Sequence, residues 1–196
     1  MKNFEKINWG FSSKLAEAIR KEIAGREDLW LINTSRRKLP EQQHTHSINI
    51  RGLDRSKYIQ GVPGVEVFES APDPAAQKIP ITASSLNLIA GFLQGRPNRA
   101  MLVRLEPNQK VYQHIDGGMN PRTYYHRCDR YHLIIDSDRG SPLNAGDEGV
   151  VMHTGELWWF DNLVNHWAEN ISDKPRIHLI FDLEPISGIC RRDHRV

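Results

Sequence analysis

The sequence predicts a mainly β fold, a double-sheet barrel or jelly roll with helices on its N-terminal side. Three observations predict it. From about Asn98 onward the chain falls into short strand-like pieces separated by turn residues, namely RAMLVRLEP, KVYQHID, DRYHLIIDS, GVVMHTGELWWFDN, NHWAENI and RIHLIFDLE. That spacing is what two packed antiparallel sheets require. Side chains alternate within these pieces. In PRIHLIFD, Arg176, His178 and Ile180 share one face while Ile177, Leu179 and Phe181 share the other. The helical patterns lie ahead of Asn98.

SSKLAEAIRKEI (12 to 23) sets Leu15, Ala18, Ile19 and Ile23 on one helical stripe behind a serine cap. DLWLIN (28 to 33) and HSINIRGL (46 to 53) read as strands. Gly61 to Pro80, interrupted by Pro63, Pro72 and Pro74, reads mostly as loop, and SSLNLIAGFLQG (84 to 95) reads as a second capped helix stopped by glycine. One structural unit is expected. Residues 1–98 form an N-terminal extension packed on the barrel, residues 99–185 the barrel core, and residues 186–196 a tail whose CRRDHRV reads as a solvated end.

Composition narrows the function classes. With 26 Lys+Arg against 24 Asp+Glu and 39% hydrophobic residues, the chain is neither a basic nucleic-acid binder nor a disordered polymer. Its apolar runs are too short for a membrane span, and MKNFEKINWG lacks the layout of an export signal, so a cytoplasmic protein is expected. Cys128 and Cys190 occur without a CxxC, which argues against a disulfide framework or a zinc knuckle.

The chemistry begins at VYQHIDGG (111 to 118). Strand alternation points His114 and Asp116 the same way, and His166, which follows a turn-forming DN, leads into a strand that could approach them from the side. Two imidazoles and one carboxylate on one face of a metal form the ligand set of non-haem Fe(II) oxygenases. Zinc more often takes three nitrogens or thiolates, and magnesium mostly oxygens. Taken alone, such a pair and a distant histidine are also explained by chance spacing or by core and capping roles. Arg176 adds weight, because an arginine between apolar neighbours is costly to bury unless an anion pairs with it. A carboxylate suits its planar fork, the alternative being a surface ion pair on an edge strand. Arg130 and His132 in DRYHLIID repeat the pattern on another strand.

With these residues in place, the segment from about Met101 to Pro185 resembles the aspartyl/asparaginyl β-hydroxylase family of 2-oxoglutarate dioxygenases, which includes free-proline hydroxylases. The resemblance implies that His114 and His166 bind iron. It implies that Arg176, ten positions past the distal histidine, grips the distal carboxylate of 2-oxoglutarate. Arg130 and His132 match the family's R-x-H motif, which implies contact with the same cosubstrate. The vertebrate protein-modifying members lack the carboxylate ligand, whereas this chain has Asp116, as in the complete triad of small bacterial members. A double-stranded β-helix of cupin-like type is therefore expected. The implied activity uses Fe(II) held by His114, Asp116 and His166, with 2-oxoglutarate and O2, to hydroxylate an unactivated C–H, releasing succinate and CO2. A free amino acid or another small carboxylate-bearing metabolite is the expected substrate. The alternatives are a protein or peptide side chain, or a noncatalytic cupin-like metal-binding module.

Substrate contacts are expected from the loop after the metal pair, GGMNPRTYYHRCD (117 to 129). There Arg122, helped by Arg127, would pair with a substrate carboxylate, and Tyr124 or Tyr125 would close on its apolar part. Trp158 and Trp159 point to opposite faces, so at most one lines the pocket, and Trp158 is assigned to it. Alternation places His178 inside with Arg176. HTH (44 to 46) reads as surface or pocket rim, DSDRG (136 to 140) as a hairpin turn, and His126 and His153 as structural.

Overall fold

The computed structural model describes residues 2–53, 70–117, 124–139 and 141–194. In chain order its elements are β1 (Phe4–Ile7), α1 (Ser12–Ile23), α2 (Glu27–Trp30), β2 (Thr45–Leu53), β3 (Ser70–Pro72), α3 (Pro80–Phe92), β4 (Gly95–Leu105), β5 (Gln109–His114), β6 (Asp129–Asp136), β7 (Pro142–Ala145), β8 (Glu148–Val151), β9 (Leu157–Phe160), β10 (His166–Asn170) and β11 (Arg176–Pro185). Short 3-10 turns lie at Arg36–Lys38, Pro40–Gln42, Pro74–Lys78, Tyr124–Arg127 and Arg191–His194. One sheet runs β1-β9-β6-β11-β4-β2-β3 and the other β5-β10-β7-β8. Every named strand pairing is antiparallel. This is the double-stranded β-helix that the sequence predicts.

Alternation divides the side chains between two cores. Leu133, Ile135, Trp159, Leu179 and Phe181 point away from the small sheet and pack with Ala16, Ile19, Leu86 and Ile89 of the helices. Ile134, Trp158 and Phe160 point the other way, onto Leu143, Ala145 and Ala168 of the small sheet. Helices thus cover the outer face of the large sheet, which leaves the space between the sheets for chemistry.

Local expectations fail where tertiary contacts override them. DLWLIN is not a strand: Glu27 and Asp28 sit in the first turn of α2, where acidic groups favour a helix start, and Leu29 and Trp30 are buried. A short apolar run cannot by itself separate helix from strand. Neither helix has the predicted side-chain cap of its own. α3 starts earlier than expected because Pro80 fits a first helical turn and Glu22 of α1 accepts hydrogen bonds from the Ile81 and Thr82 N–H groups at 2.6 and 2.7 Å. GVVMHTGELWWFDN is two strands in different sheets, separated by a turn in which Gly155 has φ +87°.

β1 and β7 carry too little alternation to be read from sequence. The boundary expected at 98/99 falls inside β4, and β1, β2 and β3 belong to the large sheet, so the N-terminal part builds the barrel wall as well as covering it. Of the expected loop, 61–69 lie outside the described residues, while 70–72 and 74–78 are ordered as β3 and a 3-10 turn. The C-terminal segment is docked rather than solvated. Arg191 donates to the Tyr131 hydroxyl at 2.8 Å and to Glu5 at 3.0 Å, and Arg192 donates to the Cys128 carbonyl at 2.9 Å. No helix among the described residues is long and apolar enough to cross a membrane.

Candidate metal centre

β5 and β10 are neighbours, and their register places His114 directly opposite His166. The imidazole centroids lie 4.3 Å apart. Each ring is oriented by its own strand: Nδ1 of His114 lies 2.7 Å from the Tyr112 carbonyl, and Nδ1 of His166 lies 2.8 Å from that of Val164. A carbonyl only accepts, so each Nδ1 carries a proton, and Nε2 is the ring nitrogen left to face the other ligands. Burial pushes His166 down to about 4, so that ring is neutral at pH 7.

Asp116 lies past the end of β5, in a turn where Gly117 takes φ +74°. Its N–H donates to the Asn162 carbonyl at 3.2 Å. Its Oδ2 accepts from Arg130 Nη1 and, at 3.1 Å, from Asn162 Nδ2, while Oδ1 is 3.8 Å from His114 Nε2. Burial alone would raise the Asp116 pKa, but the Arg130 guanidinium holds it below the usual carboxylate value. One ligand atom each from His114, Asp116 and His166 lies within 4.8 Å of the others. Two imidazole nitrogens and one carboxylate oxygen, each with its second polar atom already bonded, match the donor set of a non-haem Fe(II) site.

Behind Asp116 stands a chain of supports. Arg130 Nε and Nη2 donate to Asp182 at 2.7 and 2.8 Å, and the Tyr124 hydroxyl donates to Asp182 Oδ2 at 2.8 Å. Arg130, expected at the cosubstrate, is here held between Asp182 and Asp116 and so orients the metal carboxylate. Asp182 and Asn162 are supports of this cluster that the sequence reading missed. Asp182 was reachable, since it shares the inward parity of Arg176 and His178. The Asp182→Asn variant is expected to weaken metal binding by about 10- to 100-fold, as loss of such outer partners does. Titration with a divalent metal checks this, and an unchanged affinity would show that Arg130 holds Asp116 without Asp182.

Deeper between the sheets lie Arg176 and His178 on β11 and His132 on β6. Arg176 Nε and Nη2 and His178 Nε2 are buried without a hydrogen-bond partner. Burial pushes Arg176 down to about 10, which leaves it cationic at neutral pH. Among the described residues no carboxylate pairs with it. The Nδ1 atoms of His132 and His178 are 3.1 Å apart, so one ring donates and the other accepts. Burial, reinforced by Arg176, holds both well below the ordinary histidine value and therefore neutral. A desolvated guanidinium beside an open imidazole nitrogen is a receptor for an anion.

Of the predicted substrate residues, His178 lies inside beside Arg176 as expected, and the others differ in their surroundings. Arg122 lies outside the described residues. Tyr124 is 2% exposed, bonded to Asp182 and stacked under the Arg99 guanidinium at 3.7 Å, so it is part of the support and not a closing lid. Arg127 points outward to Glu184. Trp158 packs in the inner core and donates its indole N–H to Glu156 at 2.8 Å. Its partner Trp159 lies in the outer core as alternation requires. A third unforeseen residue is Gln42, whose Nε2 is 2.9 Å from His114 Nε2 and whose Oε1 accepts from Arg36 at 2.9 Å.

Known proteins share this architecture. The chain is similar to a prolyl hydroxylase from Trichoplax adhaerens, solved with a peptide fragment of hypoxia inducible factor, at a TM-score of 0.59 and 12% identity, covering 96% of this chain and 86% of that one. HygX from Streptomyces hygroscopicus, solved with nickel, 2-oxoglutarate and hygromycin B, gives a TM-score of 0.57 at 14% identity over 94% and 84% of the two chains. At such identities the likeness is one of fold. In sequence, 83 residues are 31% identical to the L-proline cis-4-hydroxylase of Rhizobium meliloti, covering 42% of this chain and 28% of that protein, so the match spans under a third of the relative's length. The family model for aspartyl/asparaginyl β-hydroxylase matches residues 53–185, which include all three clustered metal-type ligands and Arg176. The chain belongs to the aspartyl/asparaginyl β-hydroxylase family.

Proposed function

We propose that the protein is an Fe(II)- and 2-oxoglutarate-dependent hydroxylase of a free amino acid or another small carboxylate-bearing metabolite. One observation carries this reading: three metal-type ligand atoms converge between the same sheets from which, among the described residues, Arg176 presents unpaired donors and His178 an unbonded ring nitrogen. His114, Asp116 and His166 would hold the iron, and Arg176 would receive the distal carboxylate of 2-oxoglutarate, with His178 and His132 beside it. Bound there, iron and 2-oxoglutarate supply the oxidising chemistry: substrate C–H, O2 and 2-oxoglutarate become substrate C–OH, succinate and CO2. The protein's share is to fix each reactant and to exclude water through the apolar inner core.

The sequence relative's named substrate makes L-proline the first compound to test. A cytoplasmic setting is supported by two buried cysteines that are both free thiols, which suits a reducing compartment. Anaerobic loading with Fe(II), then exposure to O2 with 2-oxoglutarate and a panel of amino acids and peptides, is expected to give succinate and hydroxylated product in equal amounts for a free amino acid. Coupled turnover only with peptides would transfer the reading to side-chain hydroxylation. Metal binding without succinate release under any condition would leave a binding module.

A further inference from the structure

Arg36 is a cation in this site that the barrel sequence does not contain. It lies outside the segment matched by the family, on a 3-10 turn of the N-terminal part, yet it reaches the metal ligands. Its Nη2 donates to Gln42 Oε1 at 2.9 Å, and the Gln42 amide nitrogen lies 2.9 Å from His114 Nε2, a contact that a metal on that nitrogen would replace while the Gln42 carbonyl keeps its bond to Arg36. Its Nη1 has only the thioether sulfur of Met101, at 3.2 Å, and its buried Nε has no partner. No carboxylate among the described residues bonds to it. Asp116 is close enough to stabilise its charge, but the Asp116 oxygens are taken by Arg130, Asn162 and the metal side. Burial, and then the like charge of Arg130, pull the Arg36 pKa below its ordinary value, so the guanidinium is held there at a cost that an anion would relieve.

Charge counting identifies the anion's source. Four guanidiniums, those of Arg36, Arg99, Arg130 and Arg176, are set against two carboxylates, Asp116 and Asp182, of which Arg130 bonds both. Fe(II) and dianionic 2-oxoglutarate add charges that cancel. Arg130 is neutralised where it stands, and Arg176 would be neutralised by 2-oxoglutarate. The surplus positive charge is then on Arg36 and on Arg99, whose guanidinium lies over Tyr124. Arg36 and the metal-facing side of His114 are bridged by a single amide, which is the distance scale of a small molecule lying over the metal.

We propose that Arg36 is the specificity residue that receives the carboxylate of the substrate, with Gln42 setting its position. This rests on the hydroxylase reading and adds which end of the substrate is fixed, and by which element. A planar fork pairs with a carboxylate through parallel charge-assisted hydrogen bonds, so it orients the substrate as well as binding it.

The test compares each proteinogenic L-amino acid with its own carboxamide. Equilibrium binding to protein loaded anaerobically with Fe(II) and 2-oxoglutarate is measured for the wild type, Arg36→Gln and Arg36→Lys, with 2-oxoglutarate affinity and melting temperature measured for each. The wild type is expected to bind at least one free acid about 10- to 100-fold more tightly than its amide, the size of a hydrogen-bonded charge interaction. Arg36→Gln should erase that preference while leaving 2-oxoglutarate affinity unchanged. Arg36→Lys, which keeps the charge and loses the fork, should keep part of it. If Arg36→Gln does not fold, Arg36→Lys decides, and an undiminished preference overturns the proposal. The proposal also falls if Arg36→Gln keeps the preference, or if the wild type shows none while binding 2-oxoglutarate normally. Failure of the wild type to bind Fe(II) and 2-oxoglutarate would instead sink the hydroxylase reading, and this proposal with it.

Discussion

The His166→Ala variant is expected to lose both iron binding and turnover. Among the described residues three protein ligand atoms converge, so removing one leaves a lone histidine and carboxylate. The effect should reach well beyond the roughly 10- to 100-fold typical of outer partners. His166 is the informative choice because its other contacts are modest: its Nδ1 bonds a carbonyl two residues away, and its ring meets the Phe160 edge at 5.2 Å. Truncation removes the ligand without breaking an ion pair, so the metal-free melting temperature should change little while the rise produced by Fe(II) disappears. Anaerobic titration with Fe(II), followed by melting with and without metal, checks both. Metal affinity equal to the wild type would mean that the cluster of His114, Asp116 and His166 is not the iron site.

Much of this site was legible because strand alternation is local. The HxD spacing, the later histidine and the inward parity of Arg176, His178, Arg130 and His132 all follow from a period of two, and the sheets then bring them into one space. What alternation cannot supply is partner choice. Arg130 was read as a cosubstrate contact, but its donors are engaged by Asp182 and Asp116, a matter of which carboxylate the opposite strand and the following turn deliver. Gln42 meets His114 across 72 positions of sequence, and Arg36 comes with it, from a segment with no periodicity to read. The fold shows the same division. β4, β6 and β11 were visible as alternating runs, whereas β1 is short and is defined only by pairing with β9. α3 begins where Glu22 of another helix caps it, which no local signal records.

Replacing Arg176 by Met is expected to produce two effects of opposite sign. Without 2-oxoglutarate the guanidinium is buried, cationic and unpaired at Nε and Nη2, a state that is costly because both ion and donors have left water. Methionine fills similar volume without charge, so the ligand-free protein should melt at the same temperature or higher. The cosubstrate side should move the other way. If Arg176 pairs with the distal carboxylate of 2-oxoglutarate, its removal leaves that carboxylate desolvated without its cation, and breaking such a buried pair costs about 3 to 5 kcal/mol. That corresponds to a loss of about two to three and a half powers of ten in 2-oxoglutarate affinity. Iron affinity should hardly change, since none of the atoms bonded to Asp116 or to the two imidazoles comes from Arg176. Arg176→Lys should fall between, because a lysine restores the charge and not the fork. The deciding measurement is the melting temperature of the wild type and both variants with Fe(II), with and without saturating 2-oxoglutarate. A wild-type rise that survives in Arg176→Met would place the cosubstrate anchor on another cation. A destabilised ligand-free Arg176→Met would mean that the arginine serves the fold, and that its unpaired nitrogens are no receptor at all.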